Sequence, residues 1–160
     1  MGAAMRGIRI WLAVFVIGLV ASGVTAFPLE TETRWLAGVL HALPAPEFLV
    51  AWIDRVREGI AATNERYPFM AYGTDWLAFA HLVIAVAFLG PLRDPVRNIW
   101  VVQFGMIACV AIVPLALICG SVRGIPGWWQ VIDMSFGVLG IVPLAIVHRR
   151  IRTVERLIHP

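Results

Sequence analysis

Apolar residues in this chain come in long runs and do not alternate with polar ones. Four stretches, Ile10 to Phe27, Trp76 to Leu89, Trp100 to Cys119 and Trp128 to Val147, carry almost no charge. A helix rises ~1.5 Å per residue, so each run approaches the ~20 residues needed to cross a ~30 Å hydrocarbon core. The second reaches that length with Tyr72 to Asp75 and Gly90 added. The expected fold is all-α: a single membrane domain of four transmembrane helices at about residues 10–27, 72–90, 100–119 and 128–147. Residues 28–71 would form an outward-facing amphipathic cap, and residues 148–160 a basic cytoplasmic tail.

The segment between the first two runs changes period. Trp35, Leu36, Val39, Leu40 and Leu43 fall on one face of a short helix spanning Thr33 to Leu43. Pro44 and Pro46 stop it, because proline lacks a backbone donor and disfavours helix in the residue before it. From Glu47 to about Asn64, Leu49, Trp52, Ile53, Val56 and Ile60 recur at spacings of three and four, with Asp54, Arg55, Arg57 and Glu58 elsewhere. This predicts an amphipathic helix that lies on the outer membrane surface or caps the bundle mouth, with partner binding as the alternative.

Composition agrees with the runs: 60% of residues are hydrophobic and 14% charged, with a mean hydropathy of +0.83. Such values lie outside those of soluble globular domains. All thirteen basic residues are arginine. Their placement matters more than their number, since short cytoplasmic loops collect positive charge. Arg6 and Arg9 precede the first run, Arg93 and Arg97 link the second and third, and Arg149, Arg150, Arg152 and Arg156 follow the fourth. Arg34, Arg55, Arg57, Arg66 and Arg123 fall on the other side, the first four among acidic residues. Both termini are therefore expected in the cytoplasm of a bacterial-type inner membrane. The net charge implies acidic lipid as a partner and not nucleic acid.

Val24-Thr25-Ala26 also fits a signal-peptide cleavage site. The run is nonetheless long enough to span, and Gly18 with Ser22 makes a small-xxx-small step for close helix packing, so a retained helix is expected. Cys109 and Cys119 lie ~15 Å apart along one helix and cannot bridge each other. Ile112-Val113-Pro114-Leu115-Ala116-Leu117 and Ile141-Val142-Pro143-Leu144-Ala145-Ile146 echo each other around a helix-kinking proline, and chance reuse of an apolar string is the expected reading.

Ionisable residues inside apolar runs carry the candidate chemistry. Asp75 opens the second helix, and His81 follows on a face shared with Thr74, Ala78 and Ala85. Asp133 shares a face of the fourth helix with Gly137 and Gly140. Both helices would run from outside to inside, which brings His81 and Asp133 to similar depth and makes them a candidate pair, with Arg123 and Gln130 near the same boundary. The uses left open are an interhelical hydrogen bond, a proton relay, a small-ligand pocket, and a metal or haem site at His81. Asp133, Asp75 or Glu30 would complete a mixed nitrogen and oxygen metal set. No HExxH, CxxC or paired-histidine spacing supports a metal, and the other histidines, His41, His148 and His159, are poorly placed as second haem ligands.

A second polar cluster, Asp94, Arg97, Asn98 and Gln103, marks the cytoplasmic loop between the second and third helices, with Asp94 before Pro95 reading as a turn or helix cap. The function expected from these features is that of a non-enzymatic binding or accessory membrane protein, acting with a membrane partner or as a homo-oligomer. A small proton-coupled transporter or channel and an intramembrane enzyme with a His/Asp cluster are the alternatives.

Overall fold

A computed structural model describes residues 2–158 and is all-helical. Its helices are α1 (Gly2–Ala26), α2 (Leu29–Ala42), α3 (Glu47–Arg66), α4 (Ala71–Ala87), α5 (Leu89–Arg93), α6 (Ile99–Val122) and α7 (Gly127–Ile158), with a 3-10 turn at Pro68–Met70 leading into α4. Met5–Ala26, Pro68–Arg93, Ile99–Val122 and Gly127–Leu157 are long and apolar enough to cross a membrane. Each is longer than the run expected from sequence. The chain gathers into two units, one of Leu19–Ile84 and one of the described residues of Met1–Gly18 with Ala85–Pro160.

In the unit Leu19–Ile84, α2 and α3 form an antiparallel helical hairpin. Pro44 and Pro46 interrupt the helix between them, and Pro46 instead supplies the carbonyl that accepts from Leu49 and Val50 at the start of α3. The expected face of α3 packs as its period requires, with Ile53 buried and Leu49, Trp52, Val56 and Ile60 partly covered. In α2, Trp35 is 70% exposed and Leu43 is also exposed, whereas Thr33 and Ala37 are buried. Small side chains let helices approach closely, and the Thr33 hydroxyl is satisfied within its own helix by donating to the Leu29 carbonyl at 2.9 Å.

The end of α1 meets α4 in the same unit. A methyl at Gly23 would come to 3.0 Å from both the Ala78 carbonyl oxygen and His81 Cβ. Gly18 has nothing within 4 Å of such a methyl, and Ser22 is exposed. The close approach therefore falls at Gly23 and not on the Gly18/Ser22 step. The reason is rotational: Ile8, Leu12, Phe15, Leu19 and Gly23 recur at three and four and include the buried positions of α1.

The other unit is built on an α6–α7 hairpin. α6 ends in a Schellman motif, with Gly124 at φ +66, the Gly124 amide donating to Ser121 and the Ile125 amide donating to Gly120. Glycine accommodates that φ without a Cβ clash. Gly137 lets the backbones close up, since a methyl there would reach 2.5 Å from the Cys109 carbonyl oxygen. Phe15 stacks at 4.8 Å from Phe88 in a tilted pair, and Phe88, Val102, Leu144, Val147 and Ile151 are fully buried. The tail after Val147 is not separate from the last helix. Leu144, Val147, Ile151 and Val154 continue one buried stripe, so α7 remains helical to Ile158 while Arg149, Arg150, Arg152 and Arg156 stay exposed. Pro114 is exposed and Pro143 buried, so the two echoed proline segments occupy unlike environments.

Candidate functional site

The end of α1, the hairpin and the start of α4 surround a cavity of about 760 Å³, all of it within the unit Leu19–Ile84. The α1–α2 turn contributes Phe27 and Pro28, and the first turn of α2 contributes Glu30. From α3 come Trp52, Arg55, Ile60 and Asn64, which lie on its inner side or at its margin. Met70 from the 3-10 turn, with Thr74 and Asp75 from the start of α4, closes the wall. Such a size suits a small ligand or a lipid headgroup, and an apolar wall bearing a few charged groups is the usual composition of a binding pocket.

Two cross-links hold α2 against α3. At the cavity, Asn64 Nδ2 donates to Glu30 Oε2 at 2.8 Å, while Arg34 donates to Glu30 Oε1 at 2.8 Å. The Asn64 hydrogen bond does most to hold the Glu30 carboxyl below its ordinary range. Desolvation works against it, and the Arg34 hydrogen bond and charge add to it. At the far end of the hairpin, His41 Nε2 donates to Asp54 Oδ2 at 2.9 Å, and Arg57 lies 3.6 Å from the other oxygen of the same carboxylate. Sequence reasoning missed both links, together with the place of Arg55 in the cavity wall. Their partners lie 34 and 13 residues apart, so helical periodicity carries no sign of them; the only signal was that two short helices with an intervening proline stop can fold back on each other.

Arg55 and Asp75 differ from these paired charges. Both line the cavity, and neither makes a side-chain hydrogen bond or an ion pair among the described residues. Asp75 and Glu30 are thus the expected site residues that the structure places in the cavity wall, and of the two only Asp75 is unpaired. His81 lies six residues further along α4, where its Nδ1–H donates to the Leu77 carbonyl at 2.8 Å. That bond requires a proton on Nδ1. Its face carries Ala78 and Ala85, both buried.

The remaining expected residues belong to the other unit. Gln130 is 7% exposed, and its amide donates to the Ile125 carbonyl at 2.9 Å, tying the α6–α7 turn across Gly120. Arg123 is exposed in that turn. Asp133 is partly exposed on the face of α7 that carries Gly137 and Gly140.

The Asp94 cluster forms a loop-closing network. Asp94 Oδ1 accepts from the Arg97 backbone amide at 3.1 Å, so Arg97 engages it through the main chain. Asn98 Nδ2 donates to the carbonyls of Asp94 and Gly90 at 2.9 and 3.3 Å. Gln103 does not extend this network; its amide lies 3.4 Å from His148 Nε2 and joins α6 to α7. Among the described residues no three His, Cys, Asp or Glu side chains gather closely enough to hold a metal ion. His41 is held by Asp54, and His159 lies outside the described residues. No protein-family model, curated protein or solved structure matches the chain.

Proposed function

We propose that the chain is a multi-pass membrane protein that binds a small ligand or headgroup in the cavity between the α2–α3 hairpin and the start of α4, and acts as a binding or accessory protein. Membrane insertion is supported by the outer faces of the long helices, where Ile17, Leu77, Ile107, Ile118 and Leu139 are all more than 60% exposed. Soluble proteins rarely leave so much contiguous apolar surface in water. The two ends of the membrane segments follow from charge, with the arginine-rich end in the cytoplasm of a bacterial-type inner membrane and the hairpin outside.

One observation carries the binding reading: a cavity of about 760 Å³ has Arg55 and Asp75 in its wall, and neither serves a fold-stabilising contact. Charges kept out of the internal network of ion pairs are available to a ligand. Gly59 also lines this cavity, and nothing lies within 4 Å of a methyl added there. Gly59→Phe therefore fills the cavity from a helix surface that has room for it. The full-length protein and this variant are purified in mild detergent, and the molecules they release are compared by mass spectrometry. A species held by the wild type and lost from the folded variant is the expected result; identical profiles from both would remove the cavity as a binding site.

A further inference from the structure

We propose that the cavity selects a zwitterion, with Arg55 receiving its anionic group and Asp75 its ammonium; this rests on the binding reading above. The surrounding charges narrow the choice. Glu30 is engaged by Asn64 and Arg34, and Asp54 by His41 and Arg57, so these two carboxylates are satisfied within the hairpin. Arg55 and Asp75 line the same cavity without pairing with each other or with any described side chain. A lone anion on Arg55 would share the cavity with the Asp75 and Glu30 carboxylates, and a lone cation at Asp75 would share it with the Arg55 guanidinium. A molecule carrying both charges meets each with its opposite. Guanidinium and carboxylate are also the side chains best suited to charge-assisted hydrogen bonds with phosphate or carboxylate on one end and ammonium on the other.

Phe27, Trp52, Ile60 and Met70 add apolar wall beside these charges. This combination fits either a free zwitterionic solute or the headgroup of an amino phospholipid, and the two share the same recognition chemistry. The expected cost of removing either charge is modest, because Arg55 is exposed and water screens its contact.

The test uses the full chain in mild detergent with free phosphoethanolamine as the probe, and ethanolamine and inorganic phosphate as its single-charge halves. Binding at least roughly fivefold tighter than either half is expected, and Arg55→Gln and Asp75→Asn should each weaken it roughly fivefold. Neither side chain supports the fold, so both variants should melt as the wild type does. In nanodiscs, weaker binding of the free probe in phosphatidylethanolamine than in phosphatidylglycerol identifies the lipid as the source, and equal binding identifies a free solute. Ethanolamine binding that equals the probe and ignores Arg55→Gln would overturn the proposal in favour of a cation site; phosphate binding that ignores Asp75→Asn would do so in favour of an anion site. If the probe fails to bind while Gly59→Phe still loses a co-purifying species, the zwitterion falls and the binding cavity stands. If the probe fails and nothing co-purifies, both fall.

Discussion

Gly23 shows most directly how a single residue decides packing in this chain. Its missing side chain is what lets α1 approach the Ala78 carbonyl and His81, and a methyl there would already be at 3.0 Å from backbone. Backbone cannot yield as a flexible side chain can, so Gly23→Leu should destabilise the protein by about 1–3 kcal/mol, the usual cost of overpacking. Gly18→Leu places the same side chain in open space and should leave the melting temperature in detergent nearly unchanged. Equal losses from the two variants would contradict the packing. A small residue in an apolar helix was legible as a candidate contact, but which small residue makes it was not. Gly18, Ser22 and Gly23 differ only in angle around the helix, and that angle is set by the partner helix, which is distant in sequence. His81 illustrates the converse: a polar position among small residues was legible, whereas the proton on Nδ1 follows only from the Leu77 carbonyl it meets.

At the scale of elements, α3 was legible and its pairing with α2 was not. The three- and four-residue recurrence of Leu49, Trp52, Ile53, Val56 and Ile60 specifies a buried face in any helical context. In α2, the buried positions Thr33 and Ala37 were not legible, because hydrophobicity alone ranks Trp35 above them, while close helix contact favours the smaller pair. The hairpin depends on polar links at its two ends, and the one at Glu30 makes its stability sensitive to acid. Glu30 has a folded-state pKa held below its unfolded value, chiefly by Asn64. A depressed carboxyl contributes stability that is present above its ordinary pKa and is lost as pH falls through the lower, folded value. Asn64→Ala removes the main cause of the depression. The wild-type hairpin should therefore lose amide protection in α2, as read by hydrogen exchange, when pH falls from about 5 to about 3, a window that brackets the carboxylate range. The variant should lose less across that window. An identical pH profile in the two proteins would remove Glu30 as the acid-sensitive link.

For the molecule as a whole, the proposed direction across a membrane has the widest consequences, because it would decide which compartment supplies the proposed ligand. The direction we propose rests on charge, and the structure shows where the counted arginines lie. The counting places eight arginines at the chain ends and in the loop between the second and third apolar runs. Within the unit that contains both chain ends, the Arg150 guanidinium occupies the space beside Gly7, and Gln103 near the start of α6 meets His148 in the last third of α7. The start of α1, the start of α6 and the end of α7 thus lie at one end of that unit, and the arginines of all three segments lie there with them. Placing that end outside would move this whole positive cluster across the membrane against the potential and away from anionic lipid on the inner face. A fluorescent protein that matures only in the cytoplasm, fused to the C-terminus, should therefore fluoresce. A phosphatase that folds only outside, inserted in the turn between Ala42 and Glu47, should be active. A dark C-terminal fusion together with an inactive insertion would reverse the orientation, and the cavity at Arg55 and Asp75 would then draw its ligand from the cytoplasm.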